Sequence, residues 1–159
     1  MPFIGIVINE NVEKSINKKI EDCLEIKEEN LFNIKEKNIE NIKNIHFETI
    51  LLTRKFKDEE NLKKLIEKTN YLIVNTDIKE NLNMLKNIKA NIITYGFNSK
   101  ATITTSSVED EEIIICIQRA IQDIDGKIIE PQEIKMPIYE NVECTMFLIT
   151  ILILYGKII

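Results

Sequence analysis

The segment Ile92-Ile-Thr-Tyr-Gly-Phe-Asn-Ser-Lys-Ala-Thr-Ile-Thr-Thr-Ser-Ser107 changes character at its single glycine, Gly96. Before the glycine it is typical of a buried strand, and after Ala101 it alternates Ile with Thr, which is typical of a strand with one exposed face. We therefore expect this segment to join two kinds of sheet, a parallel part on its N-terminal side and an antiparallel part on its C-terminal side.

On the N-terminal side, short apolar runs alternate with charged segments of helical period. This alternation predicts an α/β fold with a Rossmann-like, mainly parallel sheet and crossover helices. The predicted strands are 3–8, 47–52, 71–74 and 91–95, and the predicted helices are 12–26, 59–68 and 79–87. Residues 31–34, followed by Ile39, Ile42 and Ile45, are compatible with a short strand and a helical turn, and their period leaves the choice open.

On the C-terminal side, residues 101–108, 112–120 and 127–136 are β-rich. Asp125-Gly126 predicts a hairpin turn, because glycine tolerates the positive φ angle that such turns need. We expect an antiparallel β element here, followed by an apolar helix from about 142 to 155 that Gly156 ends. No linker is visible, so residues 1–159 are predicted to form one domain, with a parallel α/β part at 1–97 and a β-rich part plus helix at 98–159.

Charge and composition narrow the classes of function. The formal net charge of −5 argues against a nucleic-acid surface, which needs clustered cations. Cys23, Cys116 and Cys144 form no CxxC pair, and the N-terminus has no signal-peptide pattern, so we predict reduced thiols in a cytoplasmic protein. The apolar segment 144–155 falls short of the roughly 20 residues that span a bilayer, which favours a buried helix over a membrane anchor.

Polar residues follow the predicted strand 71–74, where Asn75, Thr76 and Asp77 precede a helix. Ligands of open parallel sheets bind beyond the carboxyl ends of the strands, so these three residues are candidate ligand contacts. In a second interpretation Asp77 is the N-cap of the following helix and Glu80 completes a capping box. Taken alone, the residues favour the cap.

Several short motifs then occur in a characteristic order: Val74-Asn-Thr-Asp77, Ile93-Thr-Tyr-Gly96, the β-rich stretch to Met136, and residues 137–156 with Asn141 before the helix. In this order they resemble the latter part of the central, ATP-binding domain of the Mur ligases and their folylpolyglutamate synthetase relatives, over roughly residues 70–159. The resemblance implies that Asn75 faces adenine. Tyr95-Gly96 is interpreted as a structural corner.

The phosphate loop that this family needs has no counterpart, because its Gly-Lys-Ser/Thr ending does not occur. The only Gly-Lys pairs, Gly126-Lys127 and Gly156-Lys157, are each followed by Ile. We therefore predict a degenerate scaffold without ligase activity and without a resident cofactor, and treat weak binding of ATP and Mg²⁺ as the alternative. The candidate contacts for a nucleotide are Asn75, Thr76, Asp77, Tyr95, Gly96, Asn98 and Lys100.

A second candidate site is the polar run Asn98-Ser-Lys100 together with the hydroxyl groups of residues 102, 104, 105, 106 and 107. Alternating Thr favours an exposed strand face, and the alternative is a row that binds a partner strand or an anionic ligand near Lys100. His46, the only histidine, begins an apolar strand and is predicted to be structural rather than catalytic.

These observations predict a non-catalytic protein that binds another protein or a small molecule. The alternatives are a weak nucleotide or small-molecule site at residues 75–77, and a subunit of a cell-wall-type amide ligase. A third possibility is an assembly module, because a helix that is apolar on nearly all sides must be buried within the fold or at a subunit interface, such as that of a homodimer. No partner among nucleic acids or membranes is expected.

Overall fold

An eight-stranded sheet organises the chain in the computed structural model, which describes residues 2–158, so that Met1 and Ile159 of the predicted domain lie outside the described residues. The strands of this sheet are β1 (Ile4–Val7), β2 (Leu31–Asn33), β3 (Thr49–Leu52), β4 (Tyr71–Asn75), β5 (Asn91–Tyr95), β6 (Ile103–Glu109), β7 (Glu112–Ile117) and β10 (Gln132–Pro137). The strands β8 (Ile121–Gln122) and β9 (Ile128–Ile129) form a separate antiparallel pair.

The strand order is β10-β7-β6-β5-β4-β3-β1-β2. All neighbours from β2 to β6 are parallel, although β5 and β6 share only the pair Tyr95 and Ile103. Strand β7 is antiparallel to both of its neighbours, β6 and β10. The predicted α/β class and the change from parallel to antiparallel pairing after Gly96 are confirmed. Both kinds of pairing belong to one continuous sheet, so strands of both predicted parts of the chain share it.

Five helices cover the sheet: α1 (Glu13–Leu24), α2 (Ile39–Ile42), α3 (Glu59–Lys68), α4 (Lys79–Asn83) and α5 (Val142–Leu154), together with a 3₁₀ turn at Glu28–Asn30. The apolar residues of α1 and α5 form one core with Ile6, Ile73 and Ile115. Those of α2 and α3 form a second core with Ile50 and Leu72 on the opposite face. Strands β1 and β3 are buried at every position because helices cover both of their faces.

Helix α5 is buried from Cys144 to Leu154, where no residue exposes more than 8% of its surface. Its N-terminus is capped by Asn141, whose side chain accepts a hydrogen bond from the backbone N–H of Cys144 (2.8 Å). Gly156 ends it as predicted, with φ of +71° and a bond from the Lys157 N–H to the Leu152 carbonyl (2.8 Å). The helix is apolar on all sides because it lies inside the fold, and this buried stretch has no exposed face for a subunit contact. Within residues 2–158 no helix has the length and apolarity to span a membrane.

Several predicted boundaries differ from the structure. The region from residue 31 to Ile45, whose structure the sequence left open, forms β2 and α2. The predicted helix 79–87 ends at Asn83, shortly before Asn87 adopts a positive φ angle of 59°. The predicted β segment 127–136 is divided between β9 and β10. The interruption falls at Pro131, which has no backbone N–H to donate to a neighbouring strand. The hairpin predicted from Asp125-Gly126 is confirmed, with Gly126 at φ of +89° between β8 and β9.

Candidate functional site

The predicted contact Asn75 ends β4 and is buried, with 4% of its surface exposed. Its Oδ1 accepts a hydrogen bond from the Asp77 backbone N–H (2.9 Å), and its Nδ2 donates to the Glu143 Oε1 of α5 (3.0 Å). The amide therefore ties the end of β4 to the first turn of α5. An adenine-facing role for Asn75 stays a prediction, and it requires this amide to exchange a protein partner for the base.

Asp77 is not a helix cap. Helix α4 begins after Ile78 and has no side-chain hydrogen bond at its N-terminus, so the capping box with Glu80 is wrong. The Asp77 carboxylate instead accepts hydrogen bonds from the backbone N–H groups of Phe97 (2.7 Å) and Asn98 (3.1 Å) and from the Asn98 side chain (2.8 Å). The carboxylate thus accepts three hydrogen bonds from one loop, where a helix cap would accept one from a backbone N–H of the helix.

Gly96 makes this contact sterically possible. A Cβ at position 96 would lie 2.7 Å from the Asp77 Oδ1, and the φ angle there is +155°. The preceding residue, Tyr95, is fully buried and packs against Phe147 with ring centroids 6.0 Å apart. Tyr95 and Gly96 thus form a structural corner, as predicted. By its geometry the Tyr95 hydroxyl has no hydrogen-bond partner within residues 2–158. Burial, followed by the nearby Glu143 carboxylate, raises its pKa well above the ordinary value, and the neighbouring Asn75 side chain opposes this effect.

Asn98 completes this network, because its Nδ2 also donates to the Thr76 Oγ1 (3.0 Å) and its Oδ1 accepts the Lys100 backbone N–H (3.1 Å). The structure therefore brings six of the seven predicted residues together by their side chains or by close approach. Lys100 is the exception, since its ammonium group makes no hydrogen bond or salt bridge with any residue from 2 to 158, and only its backbone joins the loop.

The hydroxyl groups that follow do not form the single exposed face that was predicted. Thr104 is 9% exposed, and the Thr105 Oγ1 donates to the Ile114 carbonyl of β7 (3.0 Å). The register of β6 against β7 shifts between Thr105 and Ser107, which leaves Ser106 exposed at an irregularity. A β-bulge changes which face of the sheet the following side chains lie on, so strict alternation along the sequence does not predict their exposure beyond this point.

A cleft lies further along the same edge of the sheet. Strands β2 and β3 flank β1 on opposite sides, so the chain reverses its direction of progress across the sheet at β1. The loops that leave β1 and β3 diverge there, at the topological switch point where open α/β sheets bind ligands. Two adjoining cavities of about 390 and 370 Å³ occupy the crevice. We call them together the β1–β3 cleft, and both are lined by Ile8, Asn9, Asn11 and Arg54.

The wall of the cleft next to β4 is formed by the first turn of α5, with Glu143 and Cys144. Desolvation raises the pKa of Glu143 above its ordinary value, although the hydrogen bond from Asn75 opposes this effect. Burial, reinforced by the neighbouring Glu143 carboxylate, raises the pKa of the Cys144 thiol to about 11. The thiol is therefore protonated at neutral pH and is a weak nucleophile.

The remaining candidates for chemistry lie elsewhere. His46 precedes β3, at the amino edge of the parallel strands, where it is exposed and its Nε2 lies 3.3 Å from the Asn70 Oδ1. Cys23, Cys116 and Cys144 form no disulfide among residues 2–158. Within residues 2–158 no three His, Cys, Asp or Glu side chains are grouped so that they could hold a metal ion.

The β1–β3 cleft was not predicted from the sequence. Asn9 and Arg54 each follow a predicted apolar strand, and the rule that singled out Asn75 applies to them equally. The missing information was the strand order, which makes the ends of β1 and β3, rather than that of β4, the switch point.

A scan of protein-family models finds no match to this chain, and a search of curated proteins finds none with significant sequence similarity. The fold defines an α/β protein with a Rossmann-like, mainly parallel sheet. The similarity to Mur ligases remains a hypothesis that rests on the motifs quoted above.

Proposed function

We propose that this protein is a non-catalytic binding protein on a scaffold similar to the central domain of Mur ligases, and that it holds a small molecule in the β1–β3 cleft. The observation that carries the proposal is the position of the cleft at the switch point of the sheet. Ligand sites in proteins commonly enclose roughly 300–1,000 Å³, and both cavities fall within this range.

The chemistry of the cleft supports binding without catalysis. The loop after β1, Ile8-Asn9-Glu10-Asn11-Val12, contains neither a glycine nor the Lys-Ser/Thr pair with which a phosphate loop holds a triphosphate and Mg²⁺. The Cys144 thiol is protonated, and the only histidine lies at the opposite edge of the parallel strands. A general base and an activated nucleophile are thus not combined among the described residues of the cleft.

The test is a titration of ¹⁵N-labelled protein with adenosine, AMP, ADP, ATP with and without Mg²⁺, succinate and inorganic phosphate, followed by two-dimensional NMR. We expect at least one probe to cause saturable shifts of the amide signals of Asn9, Asn11 and Arg54. The Asn11→Trp variant fills the cleft and should abolish these shifts. Asn44→Trp, which places the same indole at an exposed position outside the cleft, should leave them unchanged.

Two results would refute the proposal. Shifts that are absent for every probe, or that lie away from the cleft, would contradict binding at the switch point. Release of phosphate from ATP that Asn11→Trp abolishes would contradict a non-catalytic role. Binding of a nucleotide with perturbation of Asn75 would support the alternative of a residual nucleotide site.

A second candidate function is contact with another protein, and one observation favours it. Phe97 is 59% exposed, yet its backbone is held by the bond from its N–H to the Asp77 carboxylate. An exposed aromatic side chain on an anchored backbone is typical of the residues that dominate binding energy in interfaces. We expect the protein to self-associate through this surface. In sedimentation velocity Phe97→Ser should give a smaller species than wild type, whereas Val108→Ser, at a similarly exposed residue, should leave the size unchanged. A wild-type monomer at high concentration would contradict it.

A further inference from the structure

The charged side chains of the β1–β3 cleft differ in whether they have a hydrogen-bond or salt-bridge partner. Both oxygens of Glu36 accept backbone hydrogen bonds, from Lys57 (2.6 Å) and Asp58 (3.0 Å). Lys35 is 3.1 Å from a carboxylate oxygen of Glu13. The remaining carboxylates of the cleft also have partners, since Glu10 lies within 4.0 Å of Lys35 and Glu143 accepts from Asn75.

Arg54 and Lys55, by contrast, make no hydrogen bond or salt bridge with any residue between positions 2 and 158. Both residues line the larger cavity of the cleft, and Arg54 also lines the smaller one. The other arginine of the chain, Arg119, is used structurally, because its guanidinium donates to the Lys100 carbonyl. Arg54 and Lys55 are therefore the cations of the cleft that lack a partner within residues 2–158, whereas each of its carboxylates has one.

The backbone that carries Arg54 is held in place. The preceding residue, Thr53, donates both its N–H (3.2 Å) and its hydroxyl (2.6 Å) to the carbonyl of Val7, which ties the end of β3 to the end of β1. The Asn9 Oδ1 accepts the Asn11 N–H (2.9 Å), so the polar group that remains on the Asn9 side chain is a donor. The loop after β1 thus contributes a hydrogen-bond donor to the lining of the cleft, and the segment after β3 contributes two cations.

We propose that the β1–β3 cleft recognises an anionic group of its ligand, a carboxylate or a phosphate, which is held by the Arg54 guanidinium with Lys55 as the second cation. This inference rests on the proposed small-molecule function and specifies the chemistry of the ligand. A guanidinium presents its donors in a planar fork that matches two oxygens of a carboxylate or phosphate, whereas an ammonium acts as a point charge.

The experiment compares two series of anions at constant ionic strength, inorganic phosphate and pyrophosphate in one, acetate and succinate in the other. Binding is followed by NMR through the Nε–Hε signal of Arg54 and the amides of Asn9 and Asn11. We expect saturable shifts in at least one series, and the series that binds more tightly identifies the source of the anion. Arg54→Gln should weaken binding at least about 10-fold, and Arg54→Lys should weaken it less.

The matched control is Lys64→Gln, which removes the same charge from an exposed position of α3 outside the cleft. An equal loss of affinity in Lys64→Gln and Arg54→Gln would show non-specific attraction and overturn the inference. Anions that shift no signal in the cleft, while adenosine still does, would overturn it and leave the proposed function standing. Absence of binding by adenosine and by all anions would refute both.

Discussion

Substitution of Gly96 by alanine tests the hydrogen bonds of the Asp77 carboxylate, which lie beside the cleft at the carboxyl ends of the parallel strands. The added Cβ would lie 2.7 to 2.8 Å from the three carboxyl atoms of Asp77, so the carboxylate must turn away and lose its three hydrogen bonds. Because Asp77 is exposed to solvent, we take these bonds together as worth about 2 kcal/mol, and the φ angle of +155° adds about 1 kcal/mol for a residue with a side chain. The expected loss in the free energy of unfolding is about 3 kcal/mol.

The assay is a double-mutant cycle measured by urea unfolding with circular dichroism. In an Asp77→Ala background the carboxylate is already gone, so Gly96→Ala should then cost only about 1 kcal/mol, and the coupling between the two positions should be about 2 kcal/mol. Gly126→Ala is the matched control, since its φ angle is also positive while its nearest neighbouring atom lies 3.8 Å from the added Cβ. It should cost about 1 kcal/mol in both backgrounds.

Equal costs of Gly96→Ala in the two backgrounds, within about 0.5 kcal/mol, would refute this explanation. Gly96 would then be required for its backbone conformation alone, and the close approach of Asp77 would have no energetic consequence.

Three further predictions concern the buried groups near the cleft. Burial raises the pKa of Glu143 in the folded state, so its contribution to stability is full below the ordinary value of 4.5 and is lost as the pH rises through the raised pKa. Glu143→Gln should therefore become more stable relative to wild type as the pH rises above 4.5, in urea unfolding compared with the exposed control Glu80→Gln. The Cys144 thiol, with a pKa of about 11, should react with iodoacetamide at about pH 8 more slowly than the more accessible Cys23, and mass spectrometry showing Cys144 labelled first would contradict its burial. Tyr95→Phe removes a buried hydroxyl that has no partner within residues 2–158, so the melting temperature should be unchanged or higher, whereas a clear decrease would reveal a partner such as an ordered water.

Elements whose causes are local could be predicted closely from the sequence. Helix α3 and strand β5 have the predicted bounds, because a short periodic pattern and nearby stop signals specify each of them. Helix α3 begins at its Asp58 cap, whose side chain accepts the Asn61 N–H (3.2 Å). The same type of local rule failed for Asp77, since its carboxylate binds a loop that lies 20 residues further along the chain. A local cap and a distant loop compete for one carboxylate, and no short sequence window contains both competitors.

Helix α5 shows the same difference between what the sequence predicts and what the tertiary structure decides, here for packing. Its composition required burial but left open whether the fold or a second subunit provides the cover. The structure places it against β4, β5, β6 and α1, so one face of the sheet provides the cover.

Sequence alone therefore determined the kinds of element, their approximate bounds, the α/β class and the change from parallel to antiparallel pairing after Gly96, because hydrophobic period and turn chemistry act over a few residues. Tertiary structure alone decided which strands are neighbours, and with that the position of the cleft between β1 and β3. Strand order depends on pairing between segments separated by whole helices, and the free energy of that pairing comes from packing the complete sheet. For this reason Arg54, one of two arginines in the chain, becomes a candidate ligand contact only when the ends of β1 and β3 are seen side by side.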